Sequence, residues 1–146
     1  MRRTWGVGVV LLLALGCFAS PVLGQTSDTS RGRGFQLEPN YPNPFNPVTR
    51  IPFTLEDEAL PGGKPAVVTI RIFNTLLQLV AVPTALNHPA GNGVKVENLE
   101  YATPGRHEAF WDGLDKDGNK VASGTYIVQL VVNGRRAPAH KMVVAK

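Results

Sequence analysis

From Phe35 onward, apolar and polar residues alternate over short runs that are separated by turn formers. "AVVTIRIF", Ala66 to Phe73, puts Val68, Ile70 and Ile72 on one face and Thr69 and Arg71 on the other, the period of two that marks a half-buried strand. "TYIVQLVV", Thr125 to Val132, turns Tyr126, Val128 and Leu130 inward and Gln129 outward. "HEAFW", His107 to Trp111, pairs Ala109 with Trp111, and "HKMVVAK", His140 to Lys146, pairs Met142 with Val144. Between the runs lie "LPGGKP", "PAGNG", "TPGR", "DKDGNK" and "NGRR", built from residues that tolerate turn dihedrals. The nearest approach to a helical period, "NTLLQLVAVPTAL" from Asn74 to Leu86, is broken by Pro83. The pattern predicts an all-β fold, an immunoglobulin-like antiparallel β-sandwich of about seven strands. Its expected core is Phe45, Ile70, Ile72, Trp111, Tyr126, Val128 and Leu130.

One run breaks the rule. "YPNPFNPVTRIPFTL", Tyr41 to Leu55, alternates like a strand yet contains Pro42, Pro44, Pro47 and Pro52. Each proline lacks an N–H, so the run cannot be a central strand throughout. Asn43 and Asn46 precede prolines and are pushed to extended backbone. Extended geometry predicts Tyr41 and Phe45 on one side, entering the core, while the prolines guard a sheet edge against pairing with other chains.

Composition adds a leader. "MRRTWGVGVVLLLALGCFASPVLGQ" has two arginines, an apolar run and then small residues, the three regions of a secretory signal peptide. Its apolar run is shorter than the roughly 20 residues of a permanent span. Cleavage is expected after Gly24; a rival reading makes Cys17, the sole cysteine, a lipid anchor. Residues 25–34 are polar and rich in Gly, Ser and Thr, a flexible linker. Residues 35–146 then form one module, held by its core rather than by a disulfide. The chain is expected to leave through Sec for the periplasm, the cell surface or the medium.

The formal net charge of +4 falls when Arg2 and Arg3 leave with the leader, and the remaining basic residues are scattered, which speaks against nucleic acid. "DGLDKDGNK" tempts a calcium reading through Asp112, Asp115 and Asp117, but counted from Asp115 the glycine comes too early and no glutamate closes the loop. A tight turn is expected there, with a weak calcium site as the alternative. His88, His107 and His140 lack metal-ligand spacing, and His107 is expected to be partly buried and structural. Neither a Gly-x-Ser-x-Gly elbow nor a phosphate loop is present. Glu56, Asp57 and Glu58 are consecutive and read as a solvated loop. No enzymatic activity, cofactor or small-molecule substrate is expected.

"YPNPFNPVTRIPFTL", "VVTIRIFN", "PGRHEAFWDGLDKDGNKVASGTYIVQLVVNG" and the final "KMVVAK", in that order, resemble the type A C-terminal sorting domain of the type IX (Por) secretion system and the immunoglobulin-like domain of the flagellar hook-capping protein. The resemblance implies a non-enzymatic module recognised by an outer-membrane export machine. Its alternative implication is a structural protein that packs against partner subunits. The family's motifs fall on Pro42, Asn43 and Pro44, on Gly124 and Tyr126, and on Lys141 and Lys146. The chain departs from the family at Leu77, where glycine is common. It departs also in the long connection "LNHPAGNGVKVENLEYA", expected to be an elaborated loop or extra hairpin.

Overall fold

The computed structural model describes residues 33–146, so the expected leader, residues 1–24, and most of the linker, residues 25–34, lie outside the described residues. Ten strands follow in order: β1 (Phe35–Leu37), β2 (Thr49–Leu55), β3 (Ala66–Phe73), β4 (Leu79–Ala81), β5 (Thr84–Ala85), β6 (Leu99–Tyr101), β7 (Gly105–Trp111), β8 (Gly124–Val132), β9 (Arg135–Arg136) and β10 (His140–Val144). One sheet has the order β1-β2-β7-β5; the other has β10-β8-β3-β4, with β6 also on β3 and β9 also on β8. All these pairings are antiparallel. The architecture is an all-β immunoglobulin-like sandwich, as the alternation predicts.

The long strands supply the core. Val68, Ile70 and Ile72 of β3, Tyr126, Val128 and Leu130 of β8, and Met142 and Val144 of β10 are buried, and they face Ile51, Phe53 and Leu55 of β2 and Ala109 and Trp111 of β7. Burying one such apolar side chain contributes about 1.5–3 kcal/mol. Segments outnumber the expected strands because the far edge of β3 is covered piecewise. β6 pairs with Ala66 to Val68, β4 pairs with Ile72 and Phe73, and between them Ile70 N–H donates to Val96 O at 2.9 Å. That middle cover is what the long connection provides. Residues 94–96 also return along β5, where Ala85 N–H donates to Val94 O at 2.7 Å and Val96 N–H to Pro83 O at 2.9 Å.

Local chemistry explains two irregular points. Pro52 is tolerated inside β2 because the ladder to β1 ends at it: Glu38 N–H donates to its carbonyl at 3.0 Å, and the missing N–H would point the same way. Leu77, in the β3–β4 hairpin loop, has φ 59, a left-handed backbone that glycine adopts without penalty. Asn74 holds this loop, its Oδ1 accepting the N–H groups of Leu76 (3.0 Å) and Gln78 (2.9 Å).

Candidate functional site

The segment from Tyr41 to Pro47 is a strap from one sheet to the other, not a strand. At its start Tyr41 pairs with Arg50 of β2, both backbone groups bonding across at 2.9 and 3.0 Å. At its end Phe45 forms a parallel bridge to Val144 of β10. The Tyr41–Pro42, Asn43–Pro44 and Asn46–Pro47 peptide bonds are cis. Because the chain changes sheets between them, Tyr41 and Phe45 do not share a side: Phe45 is 1% exposed and Tyr41 is 42% exposed. The expectation that both enter the core is corrected for Tyr41, which faces outward.

On that outer face the Tyr41 hydroxyl donates to Glu108 Oε1. Arg106 reaches the same carboxylate at 2.9 Å and Arg50 its other oxygen at 3.2 Å, while Arg106 also reaches Glu38 at 3.2 Å. The Tyr41 hydrogen bond first, then those from the arginines, hold the Glu108 carboxyl below the ordinary carboxylate range. A depressed folded value means the contribution to stability is present above the ordinary carboxylate pKa and is lost as pH falls through the lowered value. Solvent screening keeps it small.

The far end of the strap closes the open edge of β10. Phe45 N–H donates to Val143 O at 2.9 Å, and Ala145 N–H donates to Phe45 O at 3.0 Å. Asn43 continues the ladder with its side chain: Oδ1 accepts Val143 N–H at 3.0 Å and Nδ2 donates to Lys141 O at 3.4 Å. An amide side chain thus stands where a neighbouring strand's peptide group would stand. Pro42 and Pro44 flank it and carry no N–H, so the strap satisfies the edge without offering a new one.

The remaining motif residues converge on the same place. Phe45 packs on Trp111 with centroids 5.3 Å apart, and Trp111 packs edge-on against Tyr126 at 5.5 Å. Trp111 Nε1–H donates to Leu114 O at 2.9 Å. The Tyr126 hydroxyl donates to Ala122 O at 2.8 Å, the tyrosine-corner arrangement. Tyr126 lies opposite Met142, and Gly124 opposite Val144. Gly124 has φ 144, outside the range that side chains favour. Gly113, next but one after Trp111, meets the strap directly: a Cβ there would lie 2.5 Å from Pro47 O. Lys141 and Lys146 are exposed, and Lys146 borders a cavity of about 330 Å³ with Pro47, Leu114, Lys120, Val121 and Val144. The structure places Pro42, Asn43 and Pro44 along the open edge of β10, Lys141 on that strand and Lys146 just past its end, while Gly124 and Tyr126 lie on β8, across the other edge of β10. Sequence reasoning missed the contact of Gly113 with Pro47 and the ladder role of Asn43; the Asn-Pro dipeptides were the available signal.

The histidines do not meet at a site. His88 Nε2 contacts Glu100 O, His107 Nε2 contacts Thr103 O and His140 Nε2 contacts Leu37 O, at 2.8 to 3.0 Å. His88 and His107 each pack against Tyr101 with centroids 4.7 Å apart. Burial pushes the Tyr101 hydroxyl up to about 12. Among the described residues no group of three or more His, Cys, Asp or Glu side chains comes together.

In "DKDGNK" the chain makes a turn. Asp115 Oδ1 accepts the N–H groups of Asp117 and Asn119, both at 2.9 Å, and Asp112 Oδ1 accepts Leu114 N–H at 2.9 Å. These carboxylates are occupied by their own backbone, so millimolar calcium is expected to leave the melting temperature unchanged. A calcium-dependent rise of several degrees in a thermal scan would contradict this assignment.

Comparisons with known proteins agree with this fold. The family model of the FlgD Ig-like domain matches residues 78–135, from just before β4 into β9. No curated protein matches the chain. The crystal structure of dimeric latent PorU from Porphyromonas gingivalis superposes with a TM-score of 0.52 at 23% identity, over 76% of this chain and 9% of that one. The chain thus spans about a tenth of the PorU length, and the likeness speaks for the fold. Pseudomonas fluorescens alkylpurine DNA glycosylase AlkC, bound to DNA containing an abasic site analog, reaches a TM-score of 0.49 at 17% identity over 81% of this chain and 32% of that one, too low to carry weight. Residues 78–135 thus match the FlgD Ig-like domain model, and the chain carries an immunoglobulin-like fold.

Proposed function

We propose that residues 35–146 are a non-enzymatic, exported module read by an outer-membrane export machine of the type IX kind, and that the strapped edge of β10 is the surface presented for reading. The observation that carries this reading is convergence. Residues that the sorting-domain resemblance singles out, scattered from Pro42 to Lys146, come together about the last strand: Pro42, Asn43 and Pro44 on its open edge, Lys141 and Lys146 on it and just past it, and Gly124 and Tyr126 on the neighbouring β8. Pro42, Asn43, Pro44, Lys141 and Lys146 are exposed around it, while Phe45, Trp111 and Tyr126 hold it from below. A partner can read this surface only in the folded module.

The test is a fusion. Residues 35–146 placed behind a Sec leader and a folded reporter should carry the reporter beyond the outer membrane in a host with a type IX machine. In the same host without the machine the reporter should stay periplasmic. A reporter that stays periplasmic with the machine present, although the module is folded, would sink the reading.

A second reading, a structural module that packs against partner subunits, is favoured by the match to the FlgD Ig-like family and by the tip of the β3–β4 hairpin, where Leu76 and Leu77 are 76% and 71% exposed. Sedimentation of the purified module distinguishes it: a stable higher oligomer supports assembly, and a monomer supports recognition by an export machine.

A further inference from the structure

Asn-Gly occurs twice in the chain, at Asn92–Gly93 and at Asn133–Gly134. The pair is chemically special. Glycine has no side chain to hinder its own backbone nitrogen, so that nitrogen can swing against the carbonyl carbon of the preceding asparagine side chain. In an unfolded chain the two sites would react alike. The fold treats them differently.

Asn133 is the first residue of the two-residue turn joining β8 and β9, and both ends of its side-chain amide are used. Oδ1 accepts Val67 N–H at 2.9 Å, and Nδ2 donates to Ala59 O at 2.8 Å. Its own N–H donates to Val67 O at 2.9 Å. The side chain is thereby turned toward β3, and its carbonyl carbon cannot reach Gly134 N unless two hydrogen bonds break first. Asn92 sits at the exposed tip of the long connection between β5 and β6. Among the described residues neither its side-chain amide nor the Gly93 N–H has a hydrogen-bond partner. A Cβ built on Gly93 would meet nothing within 4 Å, so space is open around the reacting pair.

We propose that Asn92 is a site of spontaneous modification by deamidation, and that Asn133 is shielded from the same chemistry by its hydrogen bonds. Gly93 N attacks Asn92 Cγ, a new C–N bond closes a five-membered succinimide, the Gly93 amide proton passes to water, and Nδ2 leaves as ammonia. Water then opens the ring at either carbonyl, giving aspartate or isoaspartate. No oxidant or reductant is involved. The product replaces a neutral amide by a carboxylate three positions before Lys95, the residue that bridges to Thr84 of β5.

The test is peptide mapping by mass spectrometry, with isoaspartate detection, of the purified chain aged at mildly alkaline pH, folded in one arm and in denaturant in the other. The expected result is loss of the amide at Asn92 with Asn133 intact in the folded arm, and loss at both sites in denaturant. Equal conversion of the two sites in the folded protein would overturn the proposal, as would an Asn92 that survives folded but converts in denaturant. Asn133 surviving even in denaturant would show that the fold is not its shield. The Gly93→Ala variant should suppress conversion at Asn92; an unchanged rate would overturn the route through the Gly93 nitrogen.

Discussion

Trp111→Ala is expected to lower the stability of the module by about 3 to 5 kcal/mol, the range for truncating a large core aromatic. Trp111 is 2% exposed and is the ring on which both sheets meet, with Phe45 on one side and Tyr126 on the other. Truncation removes both aromatic contacts and also leaves Leu114 O without its indole donor, which adds the cost of an unpaired acceptor. A loss of that size is a large share of the stability of a domain of this length. It should lower the melting temperature by more than about 10 °C. Thermal unfolding followed by far-ultraviolet circular dichroism reads it directly. An unchanged melting temperature would show that the ring is not in the core.

Phe45→Ala is expected to match that loss, at about 3 to 5 kcal/mol, and to do something that Trp111→Ala does not. Phe45 is the buried anchor of the strap, because Pro42, Asn43, Pro44, Asn46 and Pro47 around it are all exposed. Without the ring, little holds the strap against β10, and the N–H of Ala145 and the carbonyl of Val143 lose their backbone partner. An open strand edge is a template for pairing with another chain. The variant should therefore associate at concentrations where the parent is unchanged, as read by sedimentation velocity. Combined with Trp111→Ala it should show a coupling of about 0.5–1.5 kcal/mol, the value of a direct aromatic pair. Strict additivity would mean that the two rings do not support one another.

Much of the sandwich was legible because its long strands are amphipathic in the simplest way. The alternation in "AVVTIRIF", "TYIVQLVV" and "HKMVVAK" gives inward Ile70, Val128 and Met142 directly, and burial of one face leaves no choice of register. The short strands were not legible. β4, β5 and β6 carry no periodic pattern of their own and exist because β3 and β7 present edges to be covered. The strap failed for a related reason. Alternation assumes one continuous strand, whereas the chain crosses between sheets after Tyr41, so Tyr41 and Phe45 answer to different partners. Nor could the role of Asn43 be read locally, since the groups it bonds lie about a hundred positions away at Lys141 and Val143. The φ of Leu77 was signalled only by the resemblance, as a leucine where related modules have glycine.

If the Pro-Asn-Pro segment closes the edge of the last strand, amide hydrogen exchange at β10 must report it. Val143 N–H and Ala145 N–H point away from β8 and are held only by Asn43 Oδ1 and Phe45 O. Met142 and Val144, by the alternation of an antiparallel ladder, face β8 and serve as internal references. The predicted result is slow exchange at Val143 and Ala145 in the parent, and selective acceleration at Val143 in Asn43→Ala while Met142 and Val144 stay protected. Exchange at Val143 that is already fast in the parent, or that Asn43→Ala leaves unmoved, would contradict that closure.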